Sequence, residues 1–402
     1  MRKEMIEEVT LLRGLAFLAI TLQHCIGEYI YRTDIEAQDS IMLAMLFHFT
    51  RYGTPTFVFL SGLILFYNYY EKLNYVSFMK KRFTDIVVPF VIWTVIYWIF
   101  AKSGRIFSAE ALTELGKQLI LPTHGYHLWF ITMIFQFYAL FPVFVWGVKC
   151  YQERILAKLR DENVERAVIW TIAAGGVLFG VLLWLSYYVI PGMPEGIWKS
   201  ILQFRDKYVP FHLFYFLIGA VAALGLPVWR SYAARLLLAS AILFAGMYVW
   251  LGYEVLSHSM ERMNLNVATY LKPSTFVLIA VQLFLLYGFT VIVKERGGIV
   301  RRALMFIGTY SFGGFLAHAL ILGLAAGFTR PMQLAGYHLH ATVLTFLFVA
   351  AASIALAKLL SLLPFGKWLI GSLGPINDRP HGKPQSSAAA DLRRCSEIII
   401  VK

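Results

Sequence analysis

The sequence predicts an all-α membrane protein, a bundle of about ten transmembrane helices. Three observations predict it. The 402 residues are 59% hydrophobic and only 15% charged, with a mean hydropathy of +0.65, well outside the range of soluble domains. Apolar runs long enough to cross a bilayer recur along the chain, at about 9–31, 47–70, 85–101, 127–148, 167–190, 210–228, 234–252, 273–293, 303–328 and 339–363. The basic residues between these runs alternate, and dense segments fall on every second connection. These are Arg2 and Lys3, Lys72 to Arg82, Lys149 to Arg166, Arg230 with Arg235, Lys294 to Arg302, and the C-terminal stretch. By the positive-inside tendency this places both termini in the cytoplasm of a multi-pass cell-membrane protein.

Charge and cysteine usage exclude other classes. The net charge of +13 is accounted for by topology, so no nucleic-acid partner is expected; the lipid bilayer is. Cys25, Cys150 and Cys395 form neither a disulfide framework nor a metal spacing, and no metal is expected. Cys25 adjoins His24, but neighbouring helical residues point about 100° apart, so the histidine is poorly placed to activate it. The opening MRKEMIEE is mixed in charge, and the run behind it is too long and polar for a signal peptide. Residues 1–370 are read as one membrane domain. Residues 371–402 lack apolar periodicity and are read as a disordered cytoplasmic tail.

The first span, VTLLRGLAFLAITLQHCIGEYIY, carries Arg13, His24 and Glu28. At ~100° per residue all three lie on a stripe about 60° wide, with Arg13 and His24 about 16 Å apart along the axis. Ionisable residues inside a span are costly and mark functional surfaces facing a bundle interior or wet cavity. Arginine snorkelling with incidental histidine packing is the competing reading. The second span holds Pro55, a source of a kink, and Ser61 with Gly62, which permit close helix contact. Arg51 at its start is about level with Glu28, so the two can pair, or Arg51 meets headgroups. Lys80, Lys81 and Arg82 precede the third span and can bind a phosphorylated ligand or simply anchor topology. The stretch from Arg105 to Leu121 has an amphipathic pattern built on Phe107, Leu112, Leu115 and Leu119. His127 and Trp129 open the fourth span, and His212 opens the sixth. His318, in the ninth, comes out near the depth of His24. No phosphate loop or nucleophile elbow is present.

The stretches LLRGLAFLAITLQH, TPTFVFLSG, KKRFTDIVVP, HLWFI and GTYSFGGFLAH together resemble the acyltransferase-3 family of integral membrane acyltransferases. They occur in that family's order. The resemblance implies transfer of an acyl group, commonly acetyl from acetyl-CoA, to a sugar of a cell-envelope polysaccharide or glycolipid. Acyl-CoA is then a co-substrate, and no tightly bound cofactor is expected. The resemblance makes His24 catalytic and Arg13 essential. Many members carry two arginines three apart before the third span; here Arg82 is followed by Asp85, so Lys80 and Lys81 are candidates to share donor binding with Arg13 and Arg82. Histidine suits proton abstraction near neutral pH, and Glu28, one turn on, is the expected partner holding its tautomer. Arg51, Ser61, His127, Trp129 and His318 fall to the cavity or acceptor side. The rival reading is an export or transport protein for polysaccharide or lipid, in which the polar stripe lines a pathway and no thioester is consumed.

The topology has a direct test. Single cysteines placed in 191–209 should react with an impermeant maleimide added outside, and those in 149–166, native Cys150 included, should not; the opposite pattern reverses the orientation.

Overall fold

The computed structural model describes residues 5–102, 109–258 and 263–373. The expected tail therefore lies outside the described residues except for its first three, as does Phe107 of the amphipathic stretch. The described elements are helical, with no strand among them. In chain order they are α1 (Glu7–Tyr29), α2 (Ala37–Phe49), α3 (Gly53–Tyr69), α4 (Tyr75–Arg82), α5 (Val88–Lys102), α6 (Ala109–Ile120), α7 (Trp129–Arg154) and α8 (Asp161–Trp184). Then come α9 (Ile197–Leu202), α10 (Leu213–Leu224), α11 (Leu226–Arg235), α12 (Leu237–Ser257), α13 (Pro273–Arg296), α14 (Gly298–Thr329), α15 (His338–Ser361) and α16 (Gly366–Ile370).

Eight helices among the described residues are long and apolar enough to cross a membrane, and nine if a bent pair counts as one span. The bent pair is α10 with α11, turned by 107° at Gly225; it replaces the straight sixth span expected at 210–228. The second expected span, 47–70, is the seventeen-residue α3, about 26 Å long and at the short end for crossing. A 3-10 turn, Thr50–Tyr52, joins it to α2. A π-helical stretch, Phe83–Val87, couples α4 to α5. Gly297, at φ 67°, lets α13 end and α14 begin with one residue between them.

α1 is the most enclosed of the spanning helices. It packs on α14, α3, α15 and α13. Its seam with α14 is built from small residues. A Cβ at Gly14 would meet the Leu304 carbonyl oxygen at 2.8 Å, and one at Gly308 would run into the carbonyl of Thr10. Gly314 faces the ring of Phe17. Without side chains at these points the two backbones approach closely, which is the usual basis of helix association in lipid. Contacts climb both helices together, from Glu7 with Arg301 to Tyr29 with Thr329, so α1 and α14 run parallel. Each histidine lies ten residues beyond its seam glycine, His24 after Gly14 and His318 after Gly308. The seam thus brings the two imidazoles to one level.

Buried ion pairs hold the N-terminal end of α1. Glu8, fully buried, accepts Arg230 at 2.8 Å and Lys294 at 3.1 Å. Glu7 accepts Arg301 at 2.7 Å. These pairs tie α1 to α11, α13 and α14. α8 is peripheral, with Trp170, Val177 and Leu178 exposed where lipid would lie.

The seam makes a stability prediction. Gly308→Ala forces its Cβ against backbone and should cost about 1–3 kcal/mol, read as a lower Tm in detergent. Gly175→Ala on α8, where nothing lies within 4 Å, should change stability by about 0.5 kcal/mol or less. Equal effects of the two would refute the seam.

Candidate active site

The α1–α14 seam ends in a direct contact between histidines. His24 Nδ1 lies 2.7 Å from His318 Nε2, and the rings stack at 4.9 Å with planes 8° apart. The proton positions follow from the next bond. His318 Nδ1 is 2.6 Å from the Phe315 carbonyl oxygen, and a carbonyl only accepts, so Nδ1 carries the hydrogen. In the neutral ring Nε2 is then an acceptor, and His24 donates to it from Nδ1. That leaves the lone pair of His24 on Nε2. His318 is fully buried, whereas His24 is half-buried. The inner imidazole orients the outer one, and the outer one keeps access.

The 3-10 turn Tyr126–Leu128 at the start of α7 completes the cluster. His127 stands edge-on to His318, ring centres 4.6 Å apart, and 6.3 Å from His24. It is buried, and neither ring nitrogen has a partner. Tyr126, 46% exposed, sets its ring edge-on to His24 at 4.9 Å, so it stands at the open side. Tyr97 from α5 donates to the Leu316 carbonyl at 2.8 Å and accepts from the Leu320 amide at 3.0 Å. It thereby fixes the turn of α14 that carries His318. Among the described residues no group of three or more His, Cys, Asp or Glu is arranged to hold a metal ion.

Glu28 is not in this cluster, which corrects the expected His24–Glu28 pair. Its carboxylate accepts a forked bond from Arg330, at 2.8 and 3.0 Å, with Arg32 at 3.8 Å. The physical reason is that α14 ends in Arg330 beside it, and a bidentate guanidinium outcompetes an imidazole for a carboxylate. His318 holds the position assigned to Glu28. The pairing of Arg51 with Glu28 is also corrected, for Arg51 donates to the Leu265 carbonyl instead.

The residues expected on the donor side divide. Arg82 turns inward over the rings of Phe78, Tyr138 and Tyr69, at 5.2, 5.5 and 5.6 Å. Arg13, half-buried on α1, interacts electrostatically with the same Tyr138 hydroxyl. Two guanidinium groups therefore act on Tyr138, and no carboxylate among the described residues pairs with either. Ser61 donates to the Phe57 carbonyl at 2.9 Å. Lys80 and Lys81 are exposed at the end of α4. Asp85 accepts from Ser372 at 2.7 Å, so the second-arginine position is occupied by a contact with the segment after α16, while Trp93 donates to the Leu369 carbonyl of α16 at 2.8 Å. Trp129 lies beside His212, ring centres 6.2 Å apart.

A family model described as an acyltransferase domain, acyltransferase-3, matches residues 6–362. The chain belongs to this family. No curated protein and no solved structure matches it. Family and fold together make this a multi-pass membrane acyltransferase, and its site holds residues that sequence reasoning missed. Tyr126 adjoins the HLWFI stretch and was within reach of that signal. Tyr138 and Arg330 carry no sequence signal, since only the packing of α7 and α14 on α1 gives them meaning.

The tautomer argument separates two carboxyl-or-imidazole roles. His318→Gln should lower kcat by about 10²-fold or more by releasing the His24 ring, while Glu28→Gln, whose partner is Arg330, should stay within about threefold of the parent. Reversal of that order would restore Glu28 as the orienting group.

Proposed function

We propose that this acyltransferase moves an acyl group, typically acetyl, from acyl-CoA to a sugar hydroxyl of a cell-envelope polysaccharide or glycolipid. The observation that carries the reading is the polarised His24–His318 pair, which leaves an exposed-side lone pair on His24 Nε2. In the proposed step His24 Nε2 takes the proton of the acceptor hydroxyl as its oxygen attacks the thioester carbonyl. The resulting imidazolium is stabilised by its Nδ1–H bond to His318. The C–O bond forms, the C–S bond breaks, and the proton returns from Nε2 to the departing thiolate.

Arg13 and Arg82 supply the donor end of the reading. Cations enclosed in a low-dielectric bundle without counter-charges are suited to phosphates or to a polarised amide, and arginine serves either as a planar fork. In our reading the CoA nucleotide stays near Arg82, Lys80 and Lys81 on the cytoplasmic side. Its arm passes Arg13 and Tyr138 to bring the thioester to His24. The acyl group then crosses most of the bilayer while the nucleotide does not. Both termini are cytoplasmic in this arrangement, and the protein sits in the cell membrane.

The test is release of free thiol from acetyl-CoA by the purified protein with envelope glycan extract as acceptor. Wild type should release it and His24→Ala should not. Arg82→Gln should raise the donor KM more than it lowers kcat, by about tenfold, whereas Lys80→Gln with Lys81→Gln should have the smaller effect. Translocation of glycan with no thiol released would favour an exporter instead.

A further inference from the structure

Arg51 is used by none of this. It sits on the 3-10 turn before α3 and is 9% exposed. One terminal nitrogen donates to the Leu265 carbonyl, and the guanidinium lies 4.5 Å from the centre of the Phe47 ring. Its Nε has no partner. Apart from Arg13 and Arg82 on the donor side, enclosed cations of this chain meet carboxylates: Lys272 pairs with Glu254, Arg32 with Glu28, and Arg230 and Lys294 with Glu8. No carboxylate pairs with Arg51 among the described residues. The titratable groups that bear on it are the hydroxyls of Tyr270 and Tyr31 and the buried imidazole of His48. A buried charge without a counter-ion is costly unless something supplies one.

The surroundings have further unmet capacity. His212 is fully buried, and its Nε2–H donates to the Asp206 carbonyl at 2.7 Å. Its Nδ1 is then an acceptor, and it has no partner. The rings of Trp129 and Tyr270 flank His212 at 6.2 and 5.7 Å. Tyr31, three residues beyond Glu28, is 42% exposed, so this region lies toward the open side of the bundle. Trp129 is two residues from His127, which joins the region to the histidine cluster. Aromatic faces, an acceptor nitrogen for a hydroxyl donor and an unneutralised cation are together the chemistry that binds an acidic sugar or a phosphorylated one.

We propose that Arg51 binds an anionic group on the acceptor, a phosphate or a carboxylate, so that the acceptor is an acidic glycan or a lipid-linked phosphosugar and not a neutral one. This rests on the acyltransfer reading above. His212 Nδ1 accepts from an acceptor hydroxyl, and Trp129 and Tyr270 wall the sugar. The anion holds the acceptor so that a hydroxyl further along it reaches His24.

The test uses the full chain in nanodiscs of neutral lipid, with binding read by calorimetry. Two probe pairs distinguish the sources of the anion: a short polyprenyl phosphate against its polyprenol, and a methyl hexuronoside against the methyl hexoside. One anionic probe should bind about tenfold or more tightly than its neutral counterpart, and Arg51→Gln should erase the difference. Should that variant fail to fold, Arg51→Lys decides: it should bind the same anion more weakly, having lost the fork. Equal binding within both pairs would overturn the proposal. So would an undiminished preference in Arg51→Gln, or unchanged anion affinity in Arg51→Lys. Thiol release from acetyl-CoA, run on the same preparation, separates the two readings. Release without anion preference removes the Arg51 proposal alone, whereas anion preference with no release by any acceptor removes the acyltransfer reading.

Discussion

Everything at this site depends on how closely α1 and α14 approach. Two parallel helices in hydrocarbon gain little from burying apolar surface, since lipid is as apolar as leucine; they gain from packing and from hydrogen bonds made where water is absent. Gly14, Gly308 and Gly314 remove the side chains that would hold the backbones apart. Only then can a 2.7 Å imidazole–imidazole bond form across the seam. The bond is directional because the Phe315 carbonyl fixes one proton. A backbone group thus sets the tautomer of His318, which sets that of His24, and the nitrogen of His24 that keeps its lone pair is chosen by the fold itself.

The carboxylates of α1 explain why a histidine fills the orienting place. Glu7 and Glu8 are committed to Arg301, Arg230 and Lys294, and Glu28 to Arg330. These pairs pin the helix at both ends and so hold its register against α14. A carboxylate beside His24 would bind the imidazolium more tightly, but it would also place a negative charge where an acyl oxygen develops its own. A neutral imidazole partner stabilises the charged His24 without that repulsion.

Much of this was legible in the sequence. The span pattern was read from apolar runs, and the Arg13–His24–Glu28 stripe from helical phase. The common depth of His24 and His318 came from counting residues. Each of these is a one-dimensional property of a helix. What a stripe cannot reveal is which neighbour faces it. Glu28 shares a face with His24, yet α14 presents Arg330 to it and His318 to the histidine. The bend at Gly225 was also hidden, because the run from residue 210 to 228 reads as one apolar stretch whichever way it turns. Arg82 was visible as a charge but not as a side chain enclosed by three aromatic rings.

Charge along the bundle is arranged asymmetrically. Where α1 enters, each enclosed cation meets a carboxylate, Glu7 or Glu8. Further along, around Tyr138, Arg13 and Arg82 are unbalanced; beyond the histidines, so is Arg51. Net positive potential therefore stands on either side of a neutral histidine cluster. In a medium of low dielectric such fields reach further than in water. Both favour a negative charge forming between them, as the tetrahedral oxygen of the proposed acyl transfer would. The same placement suits the anionic ligands proposed at each end, with the histidine pair between them.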